Sequence, residues 1–209
     1  MKLYSAAYAV SPWKVLILIK EKEIKEIDVI DLDLGKLEHK TSEYKALVPN
    51  AKVPALQLDD GTMILETTAI CRYLESLYPE PNLFGESPLE MASIEMWNAR
   101  IANELMLPLA HGFRHTHPGM KELENQNEEF GLAQREVAKK SLAYFEGLIS
   151  NREFIAGDRF TYADIQAVTT LKFLVRLNRL NLEEWQNLSQ YVRNIESSKF
   201  FTINILFIY

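Results

Sequence analysis

The sequence predicts a small α+β domain of βαβ-α-ββα order followed by an all-α helical bundle. Strand-like alternation of apolar residues occurs between helical patterns in residues 1–79, and every later segment has the 3.6-residue period of a helix. Between the two parts, Pro79 and Pro81 interrupt both patterns, because a proline fixes φ and lacks the N–H donor. The predicted domains are therefore residues 1–79 and 88–209, joined by a linker at residues 80–87.

The first half of the N-terminal domain has the pattern of a parallel βαβ unit. Lys2 to Ala7 predicts a strand, and Pro12 to Ile24 predicts a helix that begins with a proline, where the missing N–H costs little. Glu26 to Asp31 predicts a second strand, which a crossover of this length pairs in parallel with the first. Thr41 to Leu47 predicts a short helix.

The second half of that domain has the pattern of a hairpin followed by a helix. Val53 to Leu58 and Thr62 to Leu65 predict two strands around Asp59-Asp60-Gly61, and Asp-Gly between alternating apolar runs is a strong hairpin signal. Apolar residues then recur at helical spacing from Thr67 to Tyr78.

The C-terminal domain has four helical patterns and an apolar end. The predicted helices are Pro88 to about Phe113, Asn127 to Ile149, Thr161 to Leu177 and Leu182 to Ser197. Residues 200–209 are almost entirely apolar, with β-branched or aromatic side chains, and their pattern leaves open a docked strand, a docked tail or a departure from an ancestral reading frame.

Composition and charge exclude several functional classes. The chain has 209 residues, 47% of them hydrophobic, and a net charge of −6, so it has no basic face for nucleic acid. Its single cysteine, Cys71, excludes an internal disulfide and favours a reducing compartment. The N-terminus lacks the pattern of a signal peptide, and no apolar run reaches the roughly 18–20 residues of a membrane helix. We therefore expect a cytoplasmic protein with neither nucleic acid nor a membrane as its partner.

Several motifs resemble those of cytosolic glutathione transferases. The matching segments are Asn50-Ala51-Lys52-Val53-Pro54-Ala55-Leu56, Asp60-Gly61, Leu65-Glu66-Thr67-Thr68-Ala69-Ile70-Cys71-Arg72-Tyr73-Leu74 and Gly157-Asp158-Arg159-Phe160-Thr161-Tyr162-Ala163-Asp164-Ile165. A further segment, Phe113-Arg114-His115-Thr116-His117-Pro118, resembles a bacterial and fungal subgroup. The resemblance covers about residues 2–198.

The resemblance implies both a fold and an activity. The first domain is expected to be thioredoxin-like and to bind glutathione as co-substrate. The expected activity is that of a glutathione transferase, which conjugates glutathione to a small hydrophobic electrophile or reduces it, in a pocket between the domains. A role in detoxification and a homodimer are also implied.

The resemblance assigns the glutathione site residue by residue. In the family the peptide bond before the matching proline, here Val53–Pro54, is cis, and it turns the backbone of the preceding residue toward the cysteinyl part of glutathione. A cis peptide bond costs less free energy before a proline than before any other residue. Lys52 and Lys40 are the candidates for the glycyl carboxylate.

The start of the helix after the hairpin is the expected site for the other end of glutathione. Unpaired N–H groups and the helix dipole favour an anion there. Thr67 is expected to cap the helix and hold the γ-glutamyl carboxylate, and Glu66 to face the ammonium group. A plain N-cap with a solvated glutamate is the alternative.

The residue that activates the thiol is not fixed by the sequence. The reaction needs the thiolate, and family members place Tyr, Ser or Cys at a position that falls here on Ala9. Of the nearby hydroxyls, Ser11 is the first candidate, with an N-cap role as its alternative, and Tyr8 is the second. Ser5 is the third hydroxyl in this region.

The helical domain offers another candidate for thiol activation, His115. In the resembled subgroup, a fungal member holds the sulfur through a water bound by polar side chains of the fourth helix. On a helix His117 points away from His115, and without a third ligand the pair does not suggest a metal. The expected second-substrate residues come from the first loop and the fourth helix: Tyr8, Val10, Leu107, His111, Arg114 and His115.

Two further assignments are structural. Thr161 and Asp164 have the spacing of a helix-capping box, with Phe160 as its apolar staple. Cys71 lies on an apolar helix stripe and is predicted to be a core thiol.

Two other functions remain open at this stage. The alternative from another class is a non-catalytic glutathione-transferase-like interaction module, which Ala9 favours, whereas Val53-Pro54 and Glu66-Thr67 favour the enzyme. A glutathione-dependent dehalogenase or isomerase uses the same site.

Overall fold

The computed structural model describes residues 1–197. Within that range it leaves out three side chains of one helix, those of Phe173, Leu174 and Arg176. The chain divides into two compact units, Met1–Leu83 and a second that begins at Phe84. The apolar end at residues 200–209 lies outside the described residues. No helix in the described part of the chain is long and apolar enough to cross a membrane.

The N-terminal unit is a four-stranded sheet with three helices. The strands are Lys2–Ser5 (β1), Asp28–Asp31 (β2), Ala55–Gln57 (β3) and Met63–Leu65 (β4), and the helices are Val10–Glu21 (α1), Ser42–Leu47 (α2) and Thr67–Leu77 (α3). The sheet order is β2-β1-β3-β4. Strand β1 is parallel to β2 and antiparallel to β3, and β3 is antiparallel to β4. The predicted βαβ-α-ββα order is confirmed.

The first loop differs from the prediction at both ends. β1 ends at Ser5 instead of Ala7, and α1 begins at Val10, two residues before Pro12. A turn bonds the Ala9 N–H to the Ala6 carbonyl at 3.1 Å, and this turn both ends the strand and starts the helix. Pro12 is tolerated at the third helical position, because N–H groups of the first turn have no partner within the helix.

The core of the N-terminal unit includes one thiol and one amine. Cys71 of α3 is fully buried, which confirms the core thiol. Lys14 of α1 is 2% exposed, and burial lowers the pKa of Lys14 to about 8, opposed by the charge of Cys71. The apolar stripe of α1 therefore contains a titratable group that its hydrophobic pattern did not predict.

A second buried lysine, Lys22, connects the end of α1 to the end of α3. The Lys22 ammonium donates hydrogen bonds to the carbonyls of Tyr78 and Pro81, each at 2.8 Å. It also forms an ion pair with Glu75, with 2.7 Å between Nζ and Oε2. The other Glu75 oxygen accepts the Leu83 N–H at 3.0 Å. Through these contacts, Lys22 at the end of α1 binds both the last turns of α3 and the chain that follows α3.

The second unit is helical in every described element, as predicted. Its helices are Pro88–Arg100 (α4), Leu107–Thr116 (α5), Glu128–Ile149 (α6), Tyr162–Leu177 (α7) and Gln186–Ser197 (α8), with short 3₁₀ turns at Pro118–Met120 and Leu182–Glu184. A π-helical segment, Ile101–Met106, joins α4 to α5.

The π-helical segment is a departure from the single helix predicted from Pro88 to about Phe113. Pro108 has no N–H for the carbonyl four residues earlier, and wider π turns are one way in which a helix absorbs such a defect. The helical run then continues to Thr116.

The predicted capping box is present and is larger than predicted. Asp164 is fully buried, and its Oδ2 accepts the Thr161 N–H at 2.9 Å and the Thr161 hydroxyl at 3.2 Å. Its Oδ1 accepts the Ile155 N–H at 2.8 Å and the Tyr191 hydroxyl at 2.6 Å. Burial raises the pKa of Asp164, and these four hydrogen bonds oppose that shift. One carboxylate thus connects the start of α7, the preceding loop and α8.

Candidate functional site

The segment around Pro54 forms one side of the candidate site. The Val53–Pro54 peptide bond is cis, as predicted. The Tyr44 hydroxyl donates to the Lys52 carbonyl at 2.6 Å, and burial raises the pKa of Tyr44 to about 12, so this hydroxyl stays protonated as a donor. Val53 packs against the buried cluster around Tyr44, yet its backbone N–H and C=O bond to no described residue. These two groups are available to an extended peptide.

The start of α3 forms the other side. Glu66 is the N-cap, with φ 69° and ψ 126°, and its side chain makes no capping bond. Thr67 is the first helical residue, so the expectation that Thr67 caps the helix is wrong. The reason is that the chain turns one residue earlier, directly after β4. The first N–H groups of α3, including that of Thr67, have no partner within the helix and favour an anion.

The backbone at Glu66 is strained. A non-glycine residue with positive φ and extended ψ occupies a sparsely populated region, at a cost of about 1–3 kcal/mol. Such strain clusters at ligand-binding sites, where the surrounding structure holds it in place. Glu66 is exposed, and it directly precedes the half-buried Thr67 that begins α3.

Strand register brings the two sides together. Ala55 pairs with Leu65 across the antiparallel β3–β4 ladder. Val53 comes two residues before Ala55 and Thr67 two residues after Leu65, so both lie beyond the same end of this ladder. The free backbone of Val53 and the open start of α3 therefore lie at the same end of the β3–β4 ladder.

The predicted lysines are both exposed. Lys52 directly precedes Val53, and Lys40 ends a 3₁₀ turn before α2. Neither forms an ion pair with a described residue. Next to Lys40 in the chain lies a residue that the sequence did not single out, His39, which is 9% exposed. Burial lowers the pKa of His39, and the charges of Lys40 and Lys45 lower it further, so this imidazole is neutral near pH 7.

The first loop places its candidates differently from the prediction. Ala9 is the N-cap of α1 and offers no side-chain oxygen, so the alternative in which Ser11 is the N-cap is wrong. Ser11 is a half-buried residue of the first helical turn, and Tyr8 is 67% exposed. Ser5 is buried in β1. Without a capping side chain, the first N–H groups of α1 remain open to an anion.

His115 and His117 both accept hydrogen bonds. Nδ1 of His115 accepts the Asn127 N–H at 3.1 Å, and Nδ1 of His117 accepts the Gly119 N–H at 3.1 Å. Each neutral ring therefore carries its proton on Nε2. Nε2 of His115 is a hydrogen-bond donor in this tautomer.

The helical geometry assumed for the two histidines applies to one of them only. His115 lies on α5, but His117 is extended and follows its end. The reason is Pro118, which disfavours the helical conformation of the residue before it.

Phe130 is a further residue that the sequence analysis missed. Its ring centroid lies 5.4 Å from that of His111 and 5.0 Å from that of His115. Gly131 allows this approach, because a Cβ there would lie 2.6 Å from Thr116 and 2.8 Å from the Cβ of His115. Gly131 thus lets α5 and α6 cross closely enough for this contact. The helical period of the sequence does not show where two helices cross, so it did not indicate Phe130.

The remaining second-substrate candidates lie at the surface or close to it. Leu107 is 44% exposed and Val10 is half-buried. Arg114 is exposed and lies 3.5 Å from Glu124 in an ion pair. In the described part of the chain, no three His, Cys, Asp or Glu residues are grouped so that they hold a metal.

Comparison with known proteins identifies the same family in both units. Residues 10–77 match the family model of the glutathione S-transferase N-terminal domain, and residues 100–199 match that of the C-terminal domain. Glutathione S-transferase 2 of Saccharomyces cerevisiae is 36% identical over 199 residues, which cover 94% of this chain and 85% of the relative.

Solved structures give the same result. The crystal structure of Gtt2 from Saccharomyces cerevisiae matches with a TM-score of 0.88 and 35% identity, over 96% of this chain and 98% of that one. A glutathione S-transferase domain-containing protein of Marinobacter aquaeolei matches with a TM-score of 0.87 and 33% identity, over 97% and 100% of the two chains.

Proposed function

Because the chain belongs to the glutathione S-transferase family, we propose that glutathione lies along Val53 and reaches the start of α3. The protein is a glutathione transferase, and glutathione is its co-substrate. The observation that supports this site most is that the free Val53 backbone and the open helix start at Thr67 lie at the same end of the β3–β4 ladder. The non-catalytic interaction module is not favoured, since the similar proteins are named glutathione S-transferases.

Each part of glutathione has a proposed partner. The cysteinyl part pairs with the Val53 backbone beside Pro54, as a strand pairs with a sheet edge. The γ-glutamyl carboxylate accepts hydrogen bonds from the N–H and hydroxyl of Thr67, and Glu66 faces the ammonium group. The glycyl carboxylate is held by two lysines, Lys40 and Lys52.

The Thr67→Ala variant tests this site. A hydrogen bond to a charged group contributes about 1.5–3 kcal/mol, so we expect the dissociation constant of glutathione to rise at least tenfold in calorimetric titration. Thr68→Ala is the matched control, because Thr68 is the next residue of the same helical turn. Equal affinities of the two variants and the wild type would contradict the proposed placement.

For thiol activation we propose the open N-terminus of α1 together with the Ser11 hydroxyl. The helix dipole and a hydroxyl donor both favour the thiolate, and Ser11 lies in the first turn of α1. Tyr8 is the second candidate. His115 is the third, as an Nε2–H donor to the sulfur or to a water beside it, because its Nδ1 is already engaged.

The pKa of the thiol of bound glutathione, measured in three variants, distinguishes the three candidates. We expect Ser11→Ala to lower kcat about tenfold and to raise the thiol pKa by about one unit, which corresponds to about 1.36 kcal/mol. Thiolate absorbance followed against pH measures the shift, with Tyr8→Phe and His115→Gln titrated in parallel. A shift in only one of these two variants would transfer the role to that residue.

The second substrate, the cellular role and the oligomeric state are also proposals. A small hydrophobic electrophile fits the half-buried rings of His111 and His115 and the exposed ring of Phe130, and a cytoplasmic role in detoxification fits such chemistry. A homodimer is supported by Leu89 and Met96, which expose 81% and 49% of their surface on α4. A sedimentation mass of one chain would refute the dimer.

A further inference from the structure

The loop between α5 and α6, residues 117–127, is fastened to the end of α5 by the side chain of Gln126. The Gln126 amide donates to the carbonyls of Arg114 and His117, with 2.8 Å from Nε2 to each oxygen. The Arg114 carbonyl belongs to the last turn of α5, where carbonyls have no N–H partner within the helix. An amide has two N–H groups, so Gln126 has one for each carbonyl. The two carbonyls lie on either side of His115 in the chain.

The fastened loop places a backbone donor beside the His115 ring. Asn127 follows Gln126, and its backbone nitrogen lies 3.1 Å from Nδ1 of His115 in a hydrogen bond. The Asn127 side chain accepts the Phe130 N–H at 2.9 Å and caps α6. The donor is therefore held from both directions, by the Gln126 amide before it and by the start of α6 after it.

The rest of the His115 side chain is also held in place. Its ring is nearly perpendicular to that of Phe130, at 88° with 5.0 Å between the centroids. Gly131 packs closely against its base, because a Cβ on Gly131 would lie 2.8 Å from Cβ of His115. Nε2 bonds to no residue in the described part of the chain. Since Nδ1 is an acceptor, the proton of the neutral ring is on this open Nε2 atom.

A second contact of the loop lies outside this series of hydrogen bonds. Arg114 and Glu124 form an ion pair at 3.5 Å, with side chains that are 45% and 31% exposed. Exposed ion pairs contribute little to stability. Removal of the Glu124 charge therefore provides a control for general loosening of the loop.

We propose that Gln126 is a positioning residue of the transferase reaction. Its amide keeps the Asn127 N–H on Nδ1 of His115, and this bond holds the Nε2–H group as a fixed donor for the glutathione sulfur or for a water beside it. The inference rests on the proposed function, in which His115 is a candidate for thiol activation, and it names the contact on which that candidate depends. A donor that is already oriented needs no reorganisation when charge develops in the reaction. Gln126 acts through His115 and is not itself a catalytic residue.

Hydrogen exchange of the Asn127 amide, followed by NMR, tests the first step of this proposal. Gln126→Met keeps the length of the side chain and removes both donors. We expect the Asn127 N–H to exchange about tenfold faster in this variant, because the loop opens locally more often. Glu124→Gln, which removes only the ion pair with Arg114, is the matched control and is expected to exchange like the wild type.

Gln126→Glu is a second variant for the same measurement. It has the shape of glutamine and no donor when ionised, so we expect the same faster exchange, and it serves if Gln126→Met does not fold. A wild-type exchange rate of the Asn127 amide without the Gln126 donors would overturn the proposal.

A double-mutant cycle with His115→Ala tests the connection to the reaction. We expect Gln126→Met to lower kcat about fivefold, the effect of losing about one neutral hydrogen bond, and to leave KM for glutathione within about twofold. In the His115→Ala background the same change is expected to alter kcat by less than about 1.5-fold, because the two residues act as one unit.

The outcomes of the cycle are distinct. An equal loss of kcat in the two backgrounds, or no loss in either, would overturn the positioning role of Gln126. Failure of the wild type to bind glutathione would instead count against the proposed glutathione site, so the two failures are distinguishable.

Discussion

Lys22→Met is expected to lower the free energy of unfolding by about 3–5 kcal/mol, the usual effect of removing one partner of a buried ion pair. The Lys22 side chain is 0% exposed and that of Glu75 is 11% exposed. Methionine has a similar length but leaves Glu75 without its cation and the carbonyls of Tyr78 and Pro81 without their donor. An unpaired buried charge costs more than the pair itself contributes.

Urea denaturation followed by circular dichroism measures the Lys22 effect. Lys25→Met is the matched control, because Lys25 is an exposed lysine of the same unit and its loss is expected to change stability by less than about 0.5 kcal/mol. If Lys22→Met were as mild as this control, the ammonium would not be what holds the end of α3.

Asp164→Ala is expected to lower the free energy of unfolding by about 3–4 kcal/mol. Loss of a simple helix cap costs about 0.5–2 kcal/mol. Here the change also leaves a buried Ile155 N–H and the Tyr191 hydroxyl without an acceptor, and each such group adds about 1–3 kcal/mol. Asp164 contacts none of the proposed glutathione ligands, so kcat/KM of the folded protein is expected to stay within about twofold.

Thermal unfolding and steady-state kinetics measure the two effects of Asp164→Ala separately. The control is Asp158→Ala, which removes an exposed carboxylate from the preceding loop. A normal melting temperature for Asp164→Ala would disprove the structural role, and a large loss of kcat/KM at a temperature where the variant is folded would disprove its separation from catalysis.

The element order of both units was predictable because it depends on local signals. Asp59-Asp60-Gly61 indicates the hairpin, and alternation indicates its strands. The exact start of α1 was not predictable, since Pro12 is compatible with several positions of a first helical turn. Burial of Lys14 and Lys22 was not predictable either, because their neighbours come from distant parts of the chain.

The residues of the candidate site likewise include some that local motifs predict and some that depend on contacts between distant segments. The cis bond before Pro54 and the helix start at Thr67 follow from motifs that are continuous in sequence. The tautomer of His115 and the packing of Phe130 depend on contacts between segments. A sequence pattern that reports one segment at a time does not contain them.

The π-helical segment Ile101–Met106 changes how the long helical run must be indexed. An α-helix advances about 100° per residue, and each π turn holds about one additional residue. A helical wheel started at Pro88 is therefore out of phase once it has passed Met106. Such a wheel places residues such as His111 and His115 on the wrong face of the helix. A mutant library for α5 should therefore use a helical wheel that begins at Leu107.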